Sequence, residues 1–337
     1  MPGFIAWHDT PSGPVPLVSS RLTAADTIGG WKARWGLGRM TYIVPPGLYA
    51  IGCPDENSPV VVTANYKMSY DLVRQALAGR DVWILVLETY GINVWCAAGK
   101  GTFGTGELIR RVQSSGLEKV VSHRTLLLPI MGAAGVRAVE VKARSGFDAV
   151  FATLRIGDLP AFLDNAMTPV PGMRELSFSF AERAVLIPIE LVVGLKSVLF
   201  VGFPLAILAG LNPGGFDWQR FVAATAVYLG AVVCGTVLVP LLLPFLPGRM
   251  FSVKGAAIGV AAAVLLTAVL EHPSVFDRAA LLLIMAAVSS FYAMNFTGST
   301  PFTSPSGVRR EMALSLPCMA WAAALGIVSL IARFFLS

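Results

Sequence analysis

Beyond Arg183 the chain becomes a series of long apolar stretches, and these constrain its fold more than any other feature. They cover residues 191–211, 221–246, 255–270, 279–296 and 316–336. Each approaches the ~20 residues that a helix needs to cross a bilayer. Backbone polar groups in lipid have to be satisfied within their own segment, so five membrane-crossing helices are predicted. Pro204, Pro240 and Pro244 are expected to kink theirs, because proline lacks the N–H that a helix interior uses. Charge marks the same boundary: residues 1–183 hold 18 Lys+Arg and 15 Asp+Glu, whereas residues 184–337 hold 8 and 5.

Loop charges give an orientation. With the N-terminus inside, the cytoplasmic loops carry Arg249, Lys254, Arg309 and Arg310, and the outer segments carry Arg220, Arg278 and Arg333. The bias has the sign expected of a multi-pass protein of the inner (cytoplasmic) membrane, with its C-terminus outside. The opening stretch MPGFIAWHDTPSGPVP lacks a charged start and a continuous apolar core, so the first domain is expected to stay in the cytoplasm. The net charge of +6 is diffuse, with no basic run, which leaves no support for nucleic-acid binding. Glu190 and Lys196, at the cytoplasmic end of the first span, are expected to snorkel to the interface. The hydroxyl-rich segment NFTGSTPFTSPSGV (residues 295–308) is open to two readings, a plain connector or a surface that docks against the first domain.

Before the boundary, strand-like and helix-like stretches alternate. Residues 60–63, 82–87, 119–122, 126–129 and 149–153 read as strands, and residues 70–78, 106–114, 135–144 and 156–164 as helices. Such alternation predicts an α/β domain with a mostly parallel sheet covered by helices. The expected organisation is an N-terminal extension over residues 1–38, the α/β domain over 39–170, a linker or interfacial segment over 171–189, and an all-α transmembrane domain over 190–337. Ligands of parallel sheets bind beyond the carboxyl ends of the strands. The stretch GINVWCAAGKGTFGTG (residues 91–106) follows the strand at 82–87 and therefore belongs to that edge.

Two nucleotide motifs nearly fit this stretch. Gly99, Gly101 and Gly104 satisfy G-x-G-x-x-G, but about ten residues separate them from the strand, where a dinucleotide fold needs the first glycine almost at once. The phosphate-loop pattern needs Gly at the position of Val94 and a hydroxyl at the position of Gly101. A short helix fits better. Asn93 is a good N-cap, residues 94–98 form the turns, and Gly99 is a plausible stop. Cys96 is then the third helical residue, near the end of a helix that favours negative charge. A thiolate there is a soft metal ligand or a nucleophile; a buried packing cysteine is the other reading that the residues leave open.

Four cysteines occur: Cys53, Cys96, Cys234 and Cys318. None forms a C-x-x-C pair, so local spacing builds neither a zinc site nor an iron–sulfur cluster, and the scatter argues against a disulfide framework. Cys234 and Cys318 read as small apolar packing residues.

NVWCAAGK (residues 93–100) resembles the cap-helix motif of the HgcA family, the membrane corrinoid proteins of microbial mercury methylation. PVVVTANYKMSYDLVR (residues 59–74) and HRTLLLPIMGAAGVRAVEVKARSGF (residues 123–147) resemble the corrinoid domain that this family shares with the corrinoid iron–sulfur protein of acetyl-CoA synthesis. The five spans resemble the mercury-methylating branch.

The resemblance implies a Rossmann-like corrinoid-binding domain holding a cobalamin-type corrinoid, with Cys96 as the lower axial ligand to cobalt and the catalytic residue. Asn93, Val94, Trp95, Ala97, Ala98, Gly99, Lys100, Gly101 and Thr102 of the motif would bind the cofactor, and Thr63, Asn65, Gly132 and Gly135 would line the same edge. The implied activity is a corrinoid-dependent methyltransferase that passes a methyl group from methylcobalt(III) to the substrate Hg(II), giving methylmercury. The implied partners are a ferredoxin-like protein with two [4Fe–4S] clusters (HgcB type) and a methyl-folate-type donor or its methyltransferase. His123 lacks the D-x-H-x-x-G setting of a cobalt-ligating histidine and reads as structural or corrinoid-adjacent. Cys53 departs from the family pattern, where Asn is expected, and is either neutral or a second soft-metal contact. The alternatives are a membrane-tethered corrinoid carrier serving another acceptor (an acetyl-CoA-type metal cluster, an arsenic or thiol compound) and a transporter with a nucleotide-sensing domain.

Overall fold

The computed structural model describes residues 1–269, 273–300 and 302–336. The chain divides into two compact units, Met1–Leu176 and Ser177–Ser337.

In the first unit seven strands form one sheet in the order β1-β2-β3-β5-β4-β6-β7. These are β1 (Phe4–His8), β2 (Val15–Val18), β3 (Gly47–Ile51), β4 (Val60–Ala64), β5 (Val82–Leu87), β6 (Thr125–Leu128) and β7 (Asp148–Phe151). β5, β4, β6 and β7 run parallel, β3 lies antiparallel against β5, and β1 lies antiparallel against β2. Alternate residues of β5 serve opposite faces. Trp83, Leu85 and Leu87 pack in one core with Leu108, Val112, Val141 and Phe147, and Val82, Ile84 and Val86 pack in the other with Tyr70, Val73, Leu77 and Phe162. A strand covered on both faces is apolar throughout, as the VWILVL sequence is. The first face is covered by α4 (Thr105–Ser114), α5 (Leu117–Val120) and α6 (Ala138–Ser145), and the second by α2 (Lys67–Ala76) and α7 (Leu159–Asp164).

Several elements differ from the sequence expectation. Residues 119–122 are not a strand. The Leu117/Val120 spacing is that of a helical turn, α5, started by Gly116 in the left-handed region. The helix expected from Gly135 begins only at Ala138, because Gly135 is held against another loop. Residues 1–38, read as an N-terminal extension, contribute strands to the same sheet. They supply β1, β2 and α1 (Ala24–Arg34), with Val15 and Val18 buried and Leu17 registered against Ala50 of β3. α1 is fixed to α2 by a buried ion network. Asp26 accepts from Lys67 at 2.6 Å and from Arg74 at 2.7 Å, and both cations also bind Asp71, at 2.5 and 2.8 Å. Arg74 is fully buried.

Among the described residues the second unit holds five helices long and apolar enough to cross a membrane: Phe180–Gly210, Trp218–Phe245, Phe251–Val269, Val275–Ser299 and Ser306–Leu336. The first begins inside the expected linker, with a Ser179/Glu182 capping box. Leu270, expected to end the third, lies outside the described residues. Pro204 and Pro240 are each preceded by a π-helical segment, Val198–Gly202 and Cys234–Leu238, and Pro244 sits in a 3-10 turn, Leu243–Phe245. The wider turn absorbs the missing N–H and the ring's clash with the previous turn. Lys254 and Arg333, counted as loop charges, lie inside helices and are buried: Lys254 donates to the Leu243 and Leu246 carbonyls, and Arg333 to those of Ala209 and Leu211. Glu190 accepts from Ser299 Oγ at 2.7 Å. In the hydroxyl-rich segment Thr303 Oγ1 donates to the Thr297 carbonyl at 2.6 Å; Pro301 lies outside the described residues.

Candidate cofactor site at the carboxyl edge of the sheet

The parallel register places Ala64, Leu87, Leu128 and Phe151 at one edge of the sheet. From this edge the chain leaves β5, runs through residues 88–93 and enters α3 (Val94–Lys100). The loop is pinned from two sides. Asn65, directly after β4 and fully buried, accepts through Oδ1 from Thr89 N (3.1 Å), Thr89 Oγ1 (2.9 Å) and Gly91 N (3.1 Å), and its Nδ2 donates to Glu88 at 2.7 Å. From α4, Glu107 accepts from the Glu88 N–H at 2.8 Å. Burial would raise the Glu107 carboxyl, but the Glu88 N–H and the Arg111 and Arg110 guanidiniums outweigh it and hold it below the usual range. These bonds keep Tyr90 in the left-handed region at φ 56°. Gly91 follows at φ 71°, where a Cβ would lie 2.8 Å from Ile43 Cγ2.

α3 starts as expected. Asn93 Oδ1 accepts from the Cys96 N–H at 2.9 Å, which places Cys96 third in the helix. Its stop differs: the left-handed residue is Gly101 (φ 80°), and Gly99 lies inside the helix. The helix has two distinct faces. Ala97 and Ala98 are buried in the core, whereas Cys96 is half-buried and Gly99 and Lys100 are exposed. Positions 96, 99 and 100 share one side of a helix by their spacing, and a Cβ on Gly99 would meet nothing within 4 Å. Cys96 therefore stands on the outward side of the helix, with open space at Gly99 one turn further on.

The remaining expected residues divide into groups. Gly132 and Gly135 serve packing: a Cβ on Gly135 would lie 2.1 Å from the Phe103 carbonyl and 3.1 Å from Ala98 Cα, and one on Gly132 would lie 2.5 Å from the Phe103 ring. Their bareness lets α3 and its following turn lie close to the next loop. Thr102 closes that turn, its N–H donating to the Ala97 carbonyl at 2.9 Å. Thr63, Asn93, Val94 and Trp95 line a cavity of about 290 Å³, mostly apolar, that opens beside the first turn of α3 between β4, β6, α2 and the segment that follows β7. Met131, Thr153 and Leu154 complete its wall.

Residues 39–148 match the family described as CO dehydrogenase/acetyl-CoA synthase delta subunit. Among curated proteins, the acetyl-CoA decarbonylase/synthase complex subunit gamma of Methanopyrus kandleri is 40% identical over 124 residues, 36% of this chain and 26% of that protein. The subunit gamma of Methanocaldococcus jannaschii is 33% identical over 129 residues, 38% of this chain and 26% of its own length. The chain thus spans about a quarter of the length of these relatives. Every expected site residue, from Thr63 to Gly135, falls inside the matched range, and all five apolar helices fall outside it. The domain is therefore related to acetyl-CoA synthase subunits.

Two residues for which alternatives were open, Cys53 and His123, lie at the other edge of the sheet. Cys53 follows β3, which runs antiparallel to β5 with Ile51 opposite Val82, so Cys53 sits at the amino edge of β5, where its N–H donates to Asp81. It cannot share a metal with Cys96 across the length of a strand. His123 precedes β6 at that same edge. Its Nδ1 accepts from Thr125 N at 3.2 Å and its Nε2 lies 2.9 Å from the Ser58 carbonyl, which makes it a structural residue rather than one beside α3. The staples Glu88, Thr89 and Glu107 were not anticipated. An acidic residue in the first turn of α4 is the one local signal for Glu107.

Proposed function

We propose that this chain is a membrane-bound corrinoid methyltransferase in which Cys96 is the lower axial ligand to cobalt. The observation that carries the reading is the half-buried Cys96 thiol on the open face of a helix pinned at the carboxyl edge of the sheet. The donor set fits. Among the described residues no three His, Cys, Asp or Glu side chains converge as a metal site, and a metal already held by a macrocycle needs one axial donor, not three. The open flank at Gly99 leaves room for a flat ligand beside the sulfur. When bound, a cobalt corrinoid supplies a centre that accepts and releases a methyl group.

The protein's own contribution is position and electron density. As a thiolate, Cys96 would be a strong soft donor to the cobalt of a bound corrinoid. Asn65 and Glu107 fix the loop and Asn93 fixes the first turn, so the sulfur is set before any ligand arrives. Ala97 and Ala98 seat the helix in the core, and in this reading Lys100, Gly101 and Thr102 would help to hold the cofactor. The acceptor in this reading is the substrate Hg(II), held by thiols, and the product is methylmercury. In this reading electrons for the cycle come from a separate ferredoxin-like partner with two [4Fe–4S] clusters, and the methyl group comes from a methyl-folate-type donor. The charges at Arg249, Arg309 and Arg310 support a cytoplasmic position for the domain in the inner membrane. The relatives' names favour one second reading, a carrier that hands its methyl group to an acetyl-CoA-type metal cluster.

The test is spectroscopic. Full-length protein loaded with cobalamin should give a visible spectrum that changes in Cys96→Ala and changes differently in Cys96→His. Identical spectra for wild type and Cys96→Ala would remove the ligand assignment. Methyl transfer to Hg(II) or to an acetyl-CoA-type metal cluster, measured on the same preparation with a reduced ferredoxin, then separates the two readings.

A further inference from the structure

α1 is amphipathic in the opposite sense to a packed surface helix. Its Asp26 and Ala33 are buried against the domain. On the far side Ile28, Trp31 and Trp35, spaced i, i+3 and i+7, are exposed at 56%, 67% and 42%. The stripe continues into the next segment, where Leu37, Met40 and Ile43 are also exposed. Lys32 and Arg34 flank it on the helix and Arg39 beyond it, and no carboxylate pairs with any of the three among the described residues. The one acid of the helix, Asp26, is turned inward to Lys67 and Arg74. Arg39 donates to the Ala33 carbonyl and lies over the Tyr66 ring, which leaves Lys32 and Arg34 as the cations that frame the stripe. Ring-bearing and aliphatic side chains framed by cations are the composition of a helix that lies in the plane of a lipid interface.

We infer that the α1 face, from Ile28 to Ile43, seats on the surface of a bilayer containing anionic lipid. Two facts commit the proposal to lipid and not to another protein. The first is reach. The Arg174 guanidinium donates to the Phe151 carbonyl and Met173 is packed in the core, so the chain is fixed to the domain that far. The first apolar helix begins at Phe180. The few residues between keep the bilayer that this helix crosses within a few nanometres of the domain. The second is placement. Met173 belongs to the same core as Tyr70 and Val73 of α2, and α1 is bonded to α2, so the chain's exit and the outward stripe belong to one side of the sheet. Basic side chains then meet anionic headgroups while the two indoles enter the interface. The inference goes beyond the corrinoid reading and does not depend on it.

The test uses full-length protein in nanodiscs whose acyl chains are plain or brominated, made of phosphatidylcholine with or without phosphatidylglycerol. The emission of wild type minus that of Trp31→Phe/Trp35→Phe isolates the two indoles from the other tryptophans. In phosphatidylglycerol discs that difference should lose more than about half its intensity to brominated chains, and Lys32→Glu/Arg34→Glu should abolish the loss. Difference emission untouched by bromine and open to aqueous iodide would overturn the proposal. So would shielding from iodide that needs a second copy of the chain in the disc and shows no quenching by bromine, because the face would then be a protein interface. Cobalamin loading, which reads α3, should be unchanged in the Phe variant, so failure here and failure of the corrinoid reading are distinguishable.

Discussion

Asn65 Oδ1 and the backbone N–H of Gly91 lie 3.1 Å apart, in a bond that ties the end of one strand to the loop leaving its neighbour. The same oxygen holds both the N–H and the hydroxyl of Thr89. One buried acceptor therefore sets the path by which the chain enters the helix of Cys96.

Replacing Asn65 should test that relationship directly. Asn65→Ala leaves the N–H groups of Thr89 and Gly91 without their acceptor in a buried position, while the Thr89 hydroxyl keeps the Ile92 carbonyl, at a cost of about 2–4 kcal/mol. The expected outcome is a lower thermal transition for the first unit together with weakened cobalamin binding, measured by circular dichroism and by titration. Asn65→Asp keeps the acceptors but faces the Glu88 carboxylate in place of donating to it, so its binding should lie between that of wild type and of Asn65→Ala.

A pair of glycines separates packing from ligand contact. Gly135→Ala would drive a methyl group to 2.1 Å from the Phe103 carbonyl, and should destabilise the domain by about 2–4 kcal/mol. Gly99→Ala meets open space and should stabilise α3 by about 0.5–1 kcal/mol, the propensity gain of alanine in a helix interior. If the outward face receives a flat ligand, Gly99→Ala nevertheless lowers cobalamin affinity several-fold. Unchanged affinity would show that this face is not the contact.

The ion network between α1 and α2 predicts a pH dependence. Burial alone would raise the Asp26 carboxyl, but hydrogen bonds from Lys67, the Thr23 backbone and Arg74 outweigh it and hold it well below its ordinary value of 3.8. The folded state thus keeps Asp26 ionised at a pH where the unfolded chain has taken up a proton. Its contribution is complete at neutral pH and is lost as pH falls through and below 3.8. Thermal unfolding between pH 7 and pH 3 should show a falling transition, flatter in Asp26→Asn. That variant should be less stable at pH 7 by about 3 kcal/mol, the cost of breaking a buried ion pair.

In the membrane unit, Glu311 accepts from the Ser252 N–H at 2.7 Å and is buried, acting as the cap of the helix Phe251–Val269 from a different helix. Glu311→Ala should cost about 1–2 kcal/mol, the range of a lost cap, read as a lower transition in detergent, and Glu311→Gln should recover most of it.

Local physics made part of this protein legible in its sequence. Length and hydropathy alone imply five spanning helices, because lipid leaves each segment to satisfy its own backbone. Asn93 and the residues after it imply a capped helix with Cys96 in the third position, because a cap needs only its next three residues. Strand order lay beyond such reasoning. β3 inserts antiparallel beside β5, and that insertion sends Cys53 to the far edge from Cys96. The side of α3 that faces the core is set by contacts with Phe103 and Gly135, residues distant in sequence from Ala97 or close to it only by a turn. The outward apolar stripe of α1 was equally invisible: its pattern is that of any amphipathic helix, and only the buried bonds of Asp26 to Lys67 and Arg74 decide which side is turned away from the domain.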